Sequence, residues 1–270
     1  MREQQMSEAQ SRQAPRVASR EDWRAARIAL LEKEKELTAM KDALAAQRRS
    51  LPWVRVEKDY LFDGPQGPVS LSQLFQGRSQ LFVKHFMMAP GQSHICVGCS
   101  LEVDHLSGIR VHLEHHDLTY AVVARAPIDE IERLKREMGW DFTWVSSYRN
   151  DFNFDFNVSF TDEEIAAGRG YYNFRQVELS PRMIDLSGDS VFVKDAAGEI
   201  YHTYSAYGRG GEQFLGIYAY LDATPNGRAE NGPYHSLADW VRPHTMYDRG
   251  GAVEATGRYH AAECTCAAHP

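Results

Sequence analysis

Trp23, Leu30, Leu37 and Leu44 recur every seven positions, Leu31 and Met40 widen the stripe, and charged residues fill most of the places between. With neither Gly nor Pro from Arg20 to Arg49, the pattern predicts one long amphipathic helix. Such a stripe lies on its own domain or pairs two subunits into a homodimer. Pro52 closes the helix, a short strand-like run follows at Val54-Arg55-Val56, and Asp63-Gly64-Pro65 and Gly67-Pro68 are turns. Leu81-Phe82-Val83 opens an apolar run that ends at Met88, before the breakers Ala89-Pro90-Gly91. This reads as a buried strand feeding a loop. Leu101, Val103, Leu106, Ile109, Val111 and Leu113 allow a helix, bent or ended at Gly108. Leu118 to Ala124 is β-branched and strand-like, Pro127 starts a second helix carrying Ile131, Leu134 and Met138, and Gly139 terminates it. Phe142 to Val145 is a further short strand.

Residues 146–189 are irregular and aromatic-rich and read as an insertion with one brief helix near Asp162 to Ala167. Within it, the alternation Asp151-Phe152-Asn153-Phe154-Asp155-Phe156-Asn157 predicts a strand with its acidic and amide groups on one face. Ser190 to Lys194 and Glu199 to Tyr204 flank Asp195-Ala196-Ala197-Gly198 as a hairpin. Phe214 to Leu221 is the last core helix, and the remainder reads as a tail. Strand-helix-strand units imply parallel neighbours and the hairpin adds antiparallel ones. The expected fold is therefore α/β, a thioredoxin-like mixed sheet flanked by helices. Residues 1–50 form a polar N-terminus and long helix, 51–222 the main domain, and 223–270 a C-terminal extension and tail.

Composition narrows the partners. The 43% hydrophobic share supports one substantial core. The net charge of -7, from 30 Lys+Arg against 37 Asp+Glu, gives no general attraction to nucleic acid or anionic lipid. The first residues lack the apolar core of a signal peptide, and no apolar run is long enough to span a membrane, so the expected location is cytoplasmic. There, paired cysteines point to redox chemistry or metal rather than structural disulfides. The four cysteines fall into two close pairs, Cys96-Val97-Gly98-Cys99 and Cys264-Thr265-Cys266.

The first pair follows a strand and precedes a helix. Unpaired N–H groups in the first helical turn stabilise a thiolate at Cys96, the attacking form of the thiol. Cys99, three residues on, is placed to resolve a mixed disulfide, and Gly98 removes bulk between them. His94 and Ser100 flank this active-site loop as auxiliary residues, with His94 read as an exposed loop histidine. The leading expectation is a thiol-disulfide oxidoreductase without a cofactor, acting on a thiol or disulfide substrate that is a small molecule or a protein. The alternative is a Cu(I) or Zn protein holding metal through Cys96, Cys99 and His94. His105, His112, His115 and His116 make a denser cluster, read as an exposed helix face. Cys264 and Cys266 read either as a second dithiol that relays electrons to the first or as incidental residues of a dispensable tail.

Leu30 to Leu37, Leu51 to Tyr60, His85-Phe86-Met87, Gly98-Cys99-Ser100, Met138-Gly139-Trp140, Trp144 to Ser147, Asp151-Phe152-Asn153 and His202 to Ser205 together resemble a family of bacterial proteins of unassigned function. Its members carry a domain of unknown function and are often labelled predicted dithiol-disulfide oxidoreductases of thioredoxin-like fold. The likeness spans roughly Ser19 to Tyr247. It implies that fold and a redox-active disulfide at the CxxC. The chain departs from the family in the loop Ala89 to His94, where a Gly-Pro-Asp-Trp-like sequence is common. It also reads Gly188-Asp189-Ser190-Val191 where thioredoxins present a cis-proline, which turns the expectation away from general exchange with protein disulfides.

Overall fold

The structure is a computed structural model that describes residues 16–181 and 183–262. The chain divides into two units, one ending at Leu51 and the other starting at Pro52. In the first, α1 (Arg20–Arg49) is a single helix capped by Ser19, whose hydroxyl accepts from the Asp22 N–H. Glu21 and Asp22 in its first turn and Arg48 and Arg49 in its last complement the helix dipole. No residue of α1 is buried.

The second unit begins with β1 (Val54–Arg55), β2 (Leu61–Gly64), β3 (Gly67–Ser70), α2 (Leu71–Leu74) and β4 (Gln80–His85). Then come β5 (Ile95–Cys96), α3 (Val97–Val103), α4 (Leu106–His115), β6 (Leu118–Ala124), α5 (Ile128–Met138) and β7 (Trp144–Ser146). The insertion contributes α6 (Phe152–Asp155), α7 (Asp162–Ala167) and the hairpin of β8 (Arg169–Tyr172) and β9 (Arg175–Glu178). It is followed by β10 (Gly188–Lys194), β11 (Ile200–Tyr207), a 3-10 turn over Gly208–Phe214 and α8 (Gly216–Leu221), and the last elements among the described residues are β12 (Ala252–Val253) and β13 (Arg258–His260).

Eight strands form one mixed sheet in the order β1-β11-β10-β4-β6-β7-β2-β3. β4, β6 and β7 are parallel, and the remaining pairs are antiparallel. The series β4, α3 and α4, β6, α5, β10, β11, α8 is a thioredoxin-like fold, with the hairpin lying beside the first parallel strand. Alternation along β6 sorts its side chains between two cores. Tyr120, Val122 and Ala124 join Cys99, Val103, Leu106, Ile131 and Trp144 on one face. Ala121 and Val123 join Phe62, Leu74, Phe75, Val83, Phe152 and Phe192 on the other. Helices thus cover both faces.

Four expectations are corrected. Asp151 to Asn157 is not a strand: α6 turns Phe152 and Phe156 onto one side at a spacing of four, with their rings 4.7 Å apart in the second core. Phe214 to Leu221 is split at Leu215, because the preceding Gly-rich segment tightens into a 3-10 turn. The segment after α8 is no loose tail up to residue 262. It packs Ala238, Val241, Met246, Val253 and Tyr259 against Val97 and Leu101 as a third core. The helix after the cysteines breaks at Asp104 and His105 rather than at Gly108. His105 Nε2 accepts from the Ile217 N–H at 3.1 Å, so Nδ1 is left to donate to the Leu101 carbonyl at 2.7 Å. Among the described residues no helix is long and apolar enough to cross a membrane.

Candidate active site

Cys96 ends β5 and caps α3. Its backbone is extended (φ -72°, ψ 112°) and its Sγ accepts from the Cys99 N–H at 3.3 Å. Ser100 is fully buried and donates to the Cys96 carbonyl at 2.8 Å, so it pins this turn through the backbone. Both thiols are free. Cys96 lines a cavity of about 340 Å³, whereas Cys99 sits behind it in the first core and accepts from the Met87 N–H at 3.5 Å.

Beneath the dithiol lies a buried charge cluster. The register of β4 and β10 sets Asp189 opposite Lys84, and their side chains pair at 3.2 Å. Glu102, from α3, reaches the same ammonium at 2.5 Å and accepts from the Tyr120 hydroxyl at 3.0 Å. Lys84, Glu102 and Asp189 are 3%, 5% and 1% exposed. Burial works against the Lys84 ammonium, but Asp189 and Glu102 outweigh it and hold its pKa well above the usual lysine value. Burial pushes the Asp189 carboxyl well up in spite of Lys84.

These charges separate the two thiols. The Cys99 side chain hydrogen-bonds to Cys96 and lowers its pKa against the cost of burial, helped by the Cys99 N–H, the Lys84 charge and the Gly98 N–H. The Cys99 thiol is raised, first by burial and then by the neighbouring Cys96 sulfur. Cys96 is therefore the better thiolate, and it faces the cavity.

The C-terminal segment closes over this turn. Arg258 of β13 stands in register with Cys96 and Tyr259 with Ile95, and the Val97 N–H donates to the Gly257 carbonyl at 2.9 Å. Leu237 lies over Gly98: a Cβ there would stand 3.5 Å from Leu237 Cδ2.

His94 is half-buried rather than exposed. Its ring packs 5.8 Å from that of His260, whose Nε2 is bonded to Glu254, and burial lowers its pKa to about 4. Among the described residues no group of three His, Cys, Asp or Glu side chains is arranged to hold a metal ion. His112 and His115 on α4 and His116 at its C-cap are exposed, while His105 is turned inward onto α8. Cys264 and Cys266 lie outside the described residues. Sequence reasoning missed Lys84, Glu102, Asp189 and the cover built by β13. The one signal for the cluster was a lysine following the apolar Leu81-Phe82-Val83 in β4; the cover left none, because its strands are two or three residues long.

Among solved structures the chain is similar to the peroxidoxin BcpB of Mycobacterium tuberculosis, at a TM-score of 0.39 and 13% identity over 61% of this chain and 94% of that one. It is similar to peroxiredoxin Q of Xanthomonas campestris, with a TM-score of 0.37 and 14% identity over 64% and 99% of the two chains. A yeast mitochondrial 1-Cys peroxiredoxin gives a TM-score of 0.36 and 14% identity over 76% and 96%. No curated protein matches the chain. A family model matches residues 12–247, which take in the whole of the long helix and most of the second unit, and the chain belongs to that family, the bacterial proteins of unknown function DUF899.

Proposed function

We propose that this protein is a thiol-disulfide oxidoreductase in which Cys96 attacks and Cys99 resolves. The observation that carries the reading is the division between the two sulfurs: one acidified and facing a cavity, the other raised and enclosed three residues behind it. The Cys96 thiolate attacks one sulfur of a disulfide, forming a mixed disulfide and releasing the other sulfur as a thiolate. Cys99 then loses its proton and attacks Cys96 Sγ, releasing the second thiolate and leaving a Cys96–Cys99 disulfide. Lys84, whose charge favours the thiolate form of both cysteines, lowers the cost of the second step. A cytoplasmic setting, which keeps thiols reduced between turnovers, belongs to the same reading.

Limiting iodoacetamide at neutral pH, followed by peptide mapping, tests the roles. Cys96 is expected to be labelled first, and Cys99→Ser to accumulate a mixed disulfide on Cys96. Preferential labelling of Cys99 reverses the roles, and failure of the reduced protein to exchange with any disulfide overturns the function.

A further inference from the structure

We infer that the Cys96 site acts on small-molecule disulfides and excludes those of folded proteins, and that the segment after α8 sets this limit. The inference rests on the thiol-disulfide chemistry proposed above. Cys96 is 5% exposed and faces a cavity of about 340 Å³, at the small end of the roughly 300–1,000 Å³ typical of sites for small ligands. A protein disulfide brings two backbones with it, their Cα atoms only about 5.5 Å apart, so both chains must come close to the attacking sulfur.

Extended chains reach such sites by adding a strand beside them. Here β13 already pairs with β5, with Arg258 in register with Cys96. The turn between the two cysteines, the next surface a protein partner would touch, lies under Leu237. This cover is part of a packed core: Ala238, Val241 and Tyr259 are buried against Val97 and Leu101. Displacing it would expose those apolar side chains to water, so the cover is the resting state of the site.

For a small disulfide RSSR the balance is complete. Two electrons leave the Cys96–Cys99 dithiol, the R–S–S–R bond is broken, the Cys96–Cys99 bond is formed, and the two thiol protons end on two RSH. A dithiol reductant returns the protein to its starting state.

The test uses the reduced full chain in single turnover against hydroxyethyl disulfide and against insulin. Each rate is divided by that of free dithiothreitol on the same disulfide. The normalised rate with hydroxyethyl disulfide is expected to exceed that with insulin by at least about 50-fold, because access limits only the larger substrate. Leu237→Ala, which thins the cover without breaking the β5–β13 pairing, is expected to narrow that ratio several-fold. Equal normalised rates would overturn the inference while leaving the thiol-disulfide reading intact. An unchanged ratio in Leu237→Ala would overturn the role given to the segment. No reaction with either disulfide would overturn the reading and the inference together.

Discussion

At 3% exposure Lys84 has lost nearly all of its hydration, and Glu102 and Asp189 are the charges that compensate it. Removing one partner of such a cluster leaves the others buried without compensation, at a cost of roughly 3–5 kcal/mol. Lys84→Met should therefore lower unfolding stability by about that amount in urea titrations, and it should also slow alkylation of Cys96 at neutral pH. Unchanged stability would mean that water reaches the carboxylates. A pH profile of Cys96 alkylation should show its midpoint below that of an unperturbed cysteine, since the bonds from Cys99 and the Lys84 charge favour the thiolate. On the opposite face of the sheet His85 is fully buried, stacked on Phe152 and Phe156 and bonded through Nε2 to Ser190 Oγ. Burial, with Lys84 nearby, lowers its pKa to about 3. The unfolded chain takes up that proton near pH ~6.5, and the folded one does not until far lower. Stability is therefore lost as pH falls from about 6.5 toward 3. Denaturant midpoints across that range should fall less steeply for His85→Phe than for the parent, and parallel curves would show that His85 titrates normally.

Among the elements, α1 carries its apolar stripe exposed, with Trp23 at 60% and Leu37 and Leu44 at 47%. A chain lacking residues 1–50 should lose helical ellipticity yet keep the cooperative unfolding of the rest, as expected of separate units. If the stripe pairs subunits, the full chain should sediment as a dimer and the shortened one as a monomer; a monomeric full chain would deny it that role. Elements whose residues carry their own instructions were legible. β4 and β6 are apolar runs ended by breakers, α5 has Pro127 before it and a left-handed Gly139 (φ 68°) after it, and the β10–β11 hairpin turns at Asp195 to Gly198. α6 misled because its Phe-polar alternation fits period two, while the contact that decides it, Phe152 with Phe156, has period four. Of the site, Cys96 and Cys99 were legible as a motif. Glu102 and Asp189 were not, because they meet Lys84 only through helix placement and strand register. β13 is three residues long and takes its identity from a distant partner.

Distant parts of the second unit build the site: β4, β10 and α3 supply the charge cluster, the β5–α3 turn the dithiol and the segment after α8 its cover. A chain ended at residue 222 should uncover Val97 and Leu101, bind a hydrophobic dye and alkylate at Cys96 faster than the parent. Equal alkylation rates would show that the cover leaves the sulfur accessible. The pairing of Cys96 with Arg258 also has a temporal side. Synthesis runs at about 5–20 residues per second, so a gap of about 160 residues between them leaves a translating ribosome holding an uncovered Cys96 for roughly 10–30 seconds. During that interval the thiol is open to oxidants and to cysteines of other nascent chains, so the newborn protein passes through a period of unselective reactivity that the finished one has closed.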